Sequence, residues 1–127
     1  MKFTTTLLSL LTTITTVHAE CYSTGDTWQN AEAARWHIER ACKGYDGNQG
    51  AFQGYFLPGE AKYACVQHSG SQKYEFFAQN LNTRTGFDLG DVDCVFRLQM
   101  EVNNCARGGE SEVAGWRFRS DPGTGFC

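Results

Sequence analysis

Lys73-Tyr74-Glu75-Phe76-Phe77-Ala78-Gln79-Asn80-Leu81 is the stretch that decides how this chain is expected to fold. Tyr74, Phe76 and Ala78 share one strand parity, and Phe77 and Leu81 take the other. Successive strand side chains point to opposite faces, so apolar groups on both parities call for cover on both sides of a sheet. The run reads as a central strand. Before it, Ser69-Gly70-Ser71-Gln72 is a hairpin connection to a strand at Ala61–His68, and a further strand-like run at Ala51–Leu57 closes on Pro58-Gly59. Short loops between consecutive strands make them antiparallel.

Helical patterns flank the strands. Asp26 with Gln29 resembles a capping box, and Ala31, Ala34, Ile38, Ala41 and Cys42 form a stripe at helical spacing up to Gly44, predicting a helix over 27–43. The loop 44–50 follows. Asp91 and Asp93 suit a helix N-terminus, Val95, Leu98, Val102 and Cys105 supply the inner stripe, and Arg107-Gly108-Gly109 stops it. A last strand at Val113–Arg119 precedes Ser120-Asp121-Pro122-Gly123, a turn by composition. The order αβββαβ, with room for a short strand near Cys21 or within 81–87, predicts an α+β fold. The expected form is an α/β/α sandwich: an antiparallel four- to five-stranded sheet with a helix on each face.

The chain has 127 residues, enough for one domain. Its net charge of −3 argues against nucleic acid, whose recognition rests on clustered cations. Lys2, the charge-free stretch Thr4–Val17 and the small-residue end at Ala19 have the layout of a secretory leader. Residues 1–19 are therefore expected to be removed, leaving 20–127 as a single secreted domain, and no stretch is long and apolar enough to predict a membrane span. Export changes the meaning of Cys21, Cys42, Cys65, Cys94, Cys105 and Cys127: an even set in a short exported chain predicts three disulfides. Only a Cys94–Cys105 link is rejected, because on one helix the two would stand about 16 Å apart at ~1.5 Å per residue. The other pairings stay open.

Catalytic patterns are thin. His68 and Glu75, with Arg84, Arg117 or Arg119, would suit a small secreted ribonuclease, which needs a base, an acid and a cation. No Gly-x-Ser-x-Gly elbow or phosphate-cradling loop is present. Asp88, Asp91 and Asp93 lack the order of a calcium loop, so neither metal nor cofactor is expected. Aromatic and polar surface remains. Trp36 projects ~200° around the first helix from Ile38, and Tyr45, Asp46 and Asn48 follow in the loop. Trp116, Arg117, Arg119 and Asp121 lie in the last strand and the turn after it. Rings pack on sugar C–H faces while Asp, Asn and Arg bind hydroxyls, so these eight residues are the expected glycan site of a non-catalytic protein.

The chain also resembles a known family. The resemblance covers 20–127 and is carried by Cys21 with Gly25-Asp26-Thr27-Trp28, Ala41-Cys42, Tyr63-Ala64-Cys65, the Cys94–Cys105 spacing, Gly108-Gly109 and the closing run Trp116–Cys127. Together these are similar to the fungal small secreted glycan-binding proteins typified by the ink-cap mushroom lectin. That family pattern commonly carries Asn where Gly123 stands. The resemblance implies an α/β/α sandwich, homodimerisation through sheet edges, and binding of amino-sugar-containing glycans or glycoproteins. A secreted effector or toxin that binds a host or competitor protein shares the same bulk features.

Overall fold

In a computed structural model, residues 18–127 are described, so the charge-free stretch of the expected leader lies outside them. In chain order the elements are β1 (His18–Cys21), α1 (Ala31–Lys43), β2 (Tyr55–Phe56), β3 (Ala61–Gln67), β4 (Gln72–Asn80), β5 (Phe87–Asp88), α2 (Asp91–Asn104), β6 (Gly109–Val113) and β7 (Trp116–Thr124). Five strands form one antiparallel sheet in the order β1-β6-β7-β4-β3, and β2 pairs with β5 as a separate ribbon. The fold is α+β with three disulfides, as the sequence predicts.

The layering differs from the expectation. Ala34, Ile38 and Cys42 of α1, Cys94, Leu98 and Val102 of α2, Tyr74, Phe76 and Ala78 of β4 and Phe118 of β7 make one core. Cys42–Cys94 joins the two helices, and Gln99 Nε2 donates to the Arg35 carbonyl at 3.1 Å. Both helices therefore lie on the same face of the sheet, and among the described residues no helix covers the opposite, open face. Phe77, whose parity called for a second cover, is only half-buried. It lies in register between Tyr63 and Arg119, and the Arg117 guanidinium stands 5.7 Å from its ring. Long side chains lying along the strands shield the ring where a helix was expected.

Three boundaries are also corrected. α1 starts four residues late, with Asn30 as N-cap accepting from Ala33 N at 2.9 Å. The preceding segment is held instead by buried side chains of β4: Gln29 N donates to Gln72 Oε1 at 2.9 Å, Gln72 Nε2 donates to the Thr27 carbonyl at 2.8 Å, and Asn30 N donates to the Tyr74 hydroxyl at 3.0 Å. Asp26, the expected cap, accepts from Thr124 Oγ1 at 2.7 Å. The expected turn at 120–123 is the second half of β7, paired with β4 through Gly123 and Thr124. Pro122 is tolerated because it lies past Ser120, the last β7 residue that pairs with β6. The run at 51–57 shrinks to β2, while α2 ends at Asn104, ahead of the expected stop, and β6 begins at Gly109.

The disulfides are Cys21–Cys105, Cys42–Cys94 and Cys65–Cys127, with sequence separations of 84, 52 and 62. Each closes a long loop and so restricts the unfolded chain, worth roughly 2–4 kcal/mol apiece. Among the described residues no helix is long and apolar enough to cross a membrane.

Candidate functional site

The expected site residues fall in three places. The first is the C-terminal end of α1. Trp36 and Arg40 are four residues apart and share a helix face. The Arg40 guanidinium carbon sits over both rings, 4.3 Å from the Trp36 ring centroid and 3.6 Å from that of Tyr45. Both rings keep much of their surface in solvent, Trp36 at 53% and Tyr45 at 42%.

The loop that brings Tyr45 here is tightly built. Gly44 N donates to the Arg40 carbonyl at 2.9 Å to cap the helix. Tyr45 and Asn48 then exchange backbone hydrogen bonds of 3.1 and 2.7 Å, around Asp46 and Gly47 at φ 49° and 78°. Two central residues at positive φ make a mirror-image turn, which Asp-Gly favours. The chain next folds back on α1. Phe52 N donates to the Ala41 carbonyl at 3.0 Å, and Gln53 links Gly50 N to the Lys43 carbonyl through its amide. Gly50 is buried so closely against the last turns of α1 that a Cβ would collide with the Ala41 carbonyl. The result is a hollow of about 470 Å³ bordered by His37, Arg40, Tyr45, Gln49 and Val66. Burial pulls the His37 imidazole below its usual pKa, helped by the positive charges of Arg40 and His68.

The second place is the open sheet face. Arg117, Arg119 and Asp121 project there beside Glu110 of β6 and Glu75 and Phe77 of β4. Arg117 pairs with Glu110 at 2.9 Å and Arg119 with Asp121 at 2.8 Å. Tyr22 donates to Glu110 at 2.9 Å, and burial first, then that bond, pushes its phenol up to about 12. Tyr63 donates to Glu75, a bond that leads burial in pushing its phenol up to about 12. For Arg119, burial is the largest single influence and acts downward. The hydrogen bond to Asp121 and the attraction of Tyr22 and Asp121 outweigh it and hold the guanidinium above its ordinary value. A wide cleft of about 950 Å³ runs between the 20–26 segment and the end of β7, bordered by Tyr22, Asp26, Glu110, Arg119, Asp121 and Thr124.

Trp116 belongs to neither place. Its ring packs edge-on against Phe56 at 5.0 Å and alongside Phe118 on the helix face, half-buried beside the core. The small hollow it borders shares no residue with the one at Tyr45. The expected grouping of Trp116 with Trp36 and Tyr45 is thus corrected: parity put it with Phe118, and that parity faces the helices. His68 stacks on the buried Tyr74 ring at 4.8 Å, whereas Glu75 bonds Tyr63 and Lys73 on the open face. The two residues of the ribonuclease pairing therefore lie on opposite sides of the sheet.

Arg40, Tyr22, Tyr63 and Glu110 were missed as site residues. Arg40 was signalled by its spacing of four from Trp36. Tyr22 and Glu110 meet only through the long-range pairing of β1 with β6, which no local pattern announces.

No family model, no curated protein and no solved structure matches this chain.

Proposed function

We propose that this chain is a secreted, non-catalytic glycan-binding protein whose sugar seats at the end of α1. The observation that carries the reading is the pair of exposed rings, Trp36 and Tyr45, both against Arg40, with Arg40 and Tyr45 bordering a preformed hollow. Sugar rings present C–H faces to aromatics and hydroxyls to polar side chains, and Asp46 and Asn48 stand in the adjoining turn. A site built on a helix end with a hydrogen-bonded loop loses little freedom when it binds. The resemblance to the ink-cap lectin family points to amino-sugar-containing ligands, and the three disulfides suit an oxidising, extracellular setting. Titration with chitin oligomers and N-acetylhexosamines tests the reading directly. Saturable binding that is weakened in Trp36→Ala is the expected result, and no binding at millimolar sugar contradicts it.

Homodimerisation through a sheet edge belongs to the same reading. Asn80 N donates to the Glu60 carbonyl and His68 N to the Gln72 carbonyl, at 2.9 and 3.0 Å. Antiparallel alternation then turns the backbone groups of Ala61, Tyr63, Cys65 and Gln67 outward from β3. Sedimentation at micromolar protein should give twice the chain mass, and a monomer mass contradicts it.

A further inference from the structure

We infer that the hollow at the end of α1 recognises a carboxylate-bearing sugar residue, seated on the Trp36 and Tyr45 rings with its acid group on Arg40. The inference rests on the glycan-binding reading and adds the class of sugar. Among the described residues, Arg40 alone of the cations around this hollow is held in a fixed place without an ion pair, and its side chain makes no hydrogen bond there. Its neighbour Lys43 is already paired with Glu39 at 3.2 Å. Contact with ring faces uses none of a guanidinium's N–H donors in hydrogen bonds. That planar fork matches a carboxylate with two parallel hydrogen bonds, a geometry an ammonium cannot reproduce.

The surroundings favour an anion. His37 borders the same hollow and lies in the field of both Arg40 and His68. The remaining border is uncharged, with Ala41, Gln49 and Val66. An acid group entering here meets a cation and no competing carboxylate on the border. On the open face, by contrast, Arg117 and Arg119 already hold Glu110 and Asp121, so an incoming acid would have to displace one of them. A neutral sugar would use the rings and leave the Arg40 fork idle.

Isothermal titration of the wild type with a galacturonic acid trimer, sialyllactose and an N-acetylglucosamine trimer tests this. At least one acidic probe should bind about tenfold tighter than the neutral trimer, and which one does so separates a uronic from a sialic source. Arg40→Gln should abolish the preference of the acidic probe over the neutral trimer. Arg40→Lys keeps the charge without the fork and guards against a folding defect; it should retain only part of the preference, with helix content unchanged by circular dichroism. Equal or tighter binding of the neutral trimer overturns the inference and leaves the glycan reading intact. An acid preference that survives Arg40→Gln overturns the assignment to this hollow. No binding by any probe removes the glycan reading itself.

Discussion

The end of α1 and the open face of the sheet both carry arginines, tyrosines and a hollow, yet they differ in what their charges already hold. On the sheet, Arg117 and Arg119 are each paired in the free protein, and Tyr22 and Tyr63 spend their hydroxyls on Glu110 and Glu75. At the helix end, Arg40 is positioned by two rings, and among the described residues its side chain has no ion-pair or hydrogen-bond partner. A satisfied network stabilises the fold and must be opened before it can bind. A positioned but unpaired cation is ready to bind at no such cost. Size points the other way, since the sheet cleft is the larger hollow. Pairing state, rather than volume, separates the two.

The largest expected effect comes from the tie beneath the helix end. Cys42 follows Arg40 by two residues, and its link to Cys94 anchors that turn to α2. Replacing both by Ala should lower stability by roughly 2–4 kcal/mol. Amide exchange should quicken over 44–53 more than over 117–121, and equal acceleration in both would erase the contrast. Next come the rings and the pairs. Trp36→Ala should weaken sugar binding about tenfold, ~1.4 kcal/mol, while Arg119→Gln should change it less than twofold and stability by no more than ~1 kcal/mol. The reverse order of effects would move the site to the sheet.

A smaller effect concerns pH. Glu101 is buried under β6, where Ser111 Oγ donates to it at 2.8 Å. Burial, the leading influence, raises its pKa above 4.5, against the Ser111 bond and the Arg97 charge. A raised folded-state value means that Glu101 favours the fold below its unfolded pKa, and that this contribution is lost as pH rises through the folded one. Denaturant midpoints should show wild type losing stability above about pH 4.5 relative to Glu101→Gln. Parallel profiles for the two proteins would refute that role, and sugar affinity should be the same in both.

Local chemistry made much of this legible. The Ala34, Ile38, Cys42 stripe marks the buried side of α1 because helical periodicity depends on the chain alone. Asp46-Gly47 announces its turn, and the exclusion of Cys94–Cys105 follows from helix rise. What stayed hidden was set by distant partners. Residues 27–30 are extended because Gln72 and Tyr74 claim their backbone groups. Phe77 signals a second covered face that arginine and tyrosine side chains partly replace. Ser120–Gly123 has the composition of a turn but continues β7, because β4 pairs with it throughout. Trp36 and Tyr45 could be picked as exposed rings, but their meeting over Arg40 depends on a loop that folds back only because Gly50 has no side chain.

Backbone and indole ¹⁵N–¹H spectra of the labelled protein, recorded during titration with an oligosaccharide, test the central claim most directly. The account predicts that the Trp36 indole and the Tyr45, Asp46 and Asn48 amides shift together and saturate, while Tyr22, Arg119 and Asp121 stay in place. Saturable shifts confined to Tyr22, Arg119 and Asp121, with the helix end silent, would contradict it.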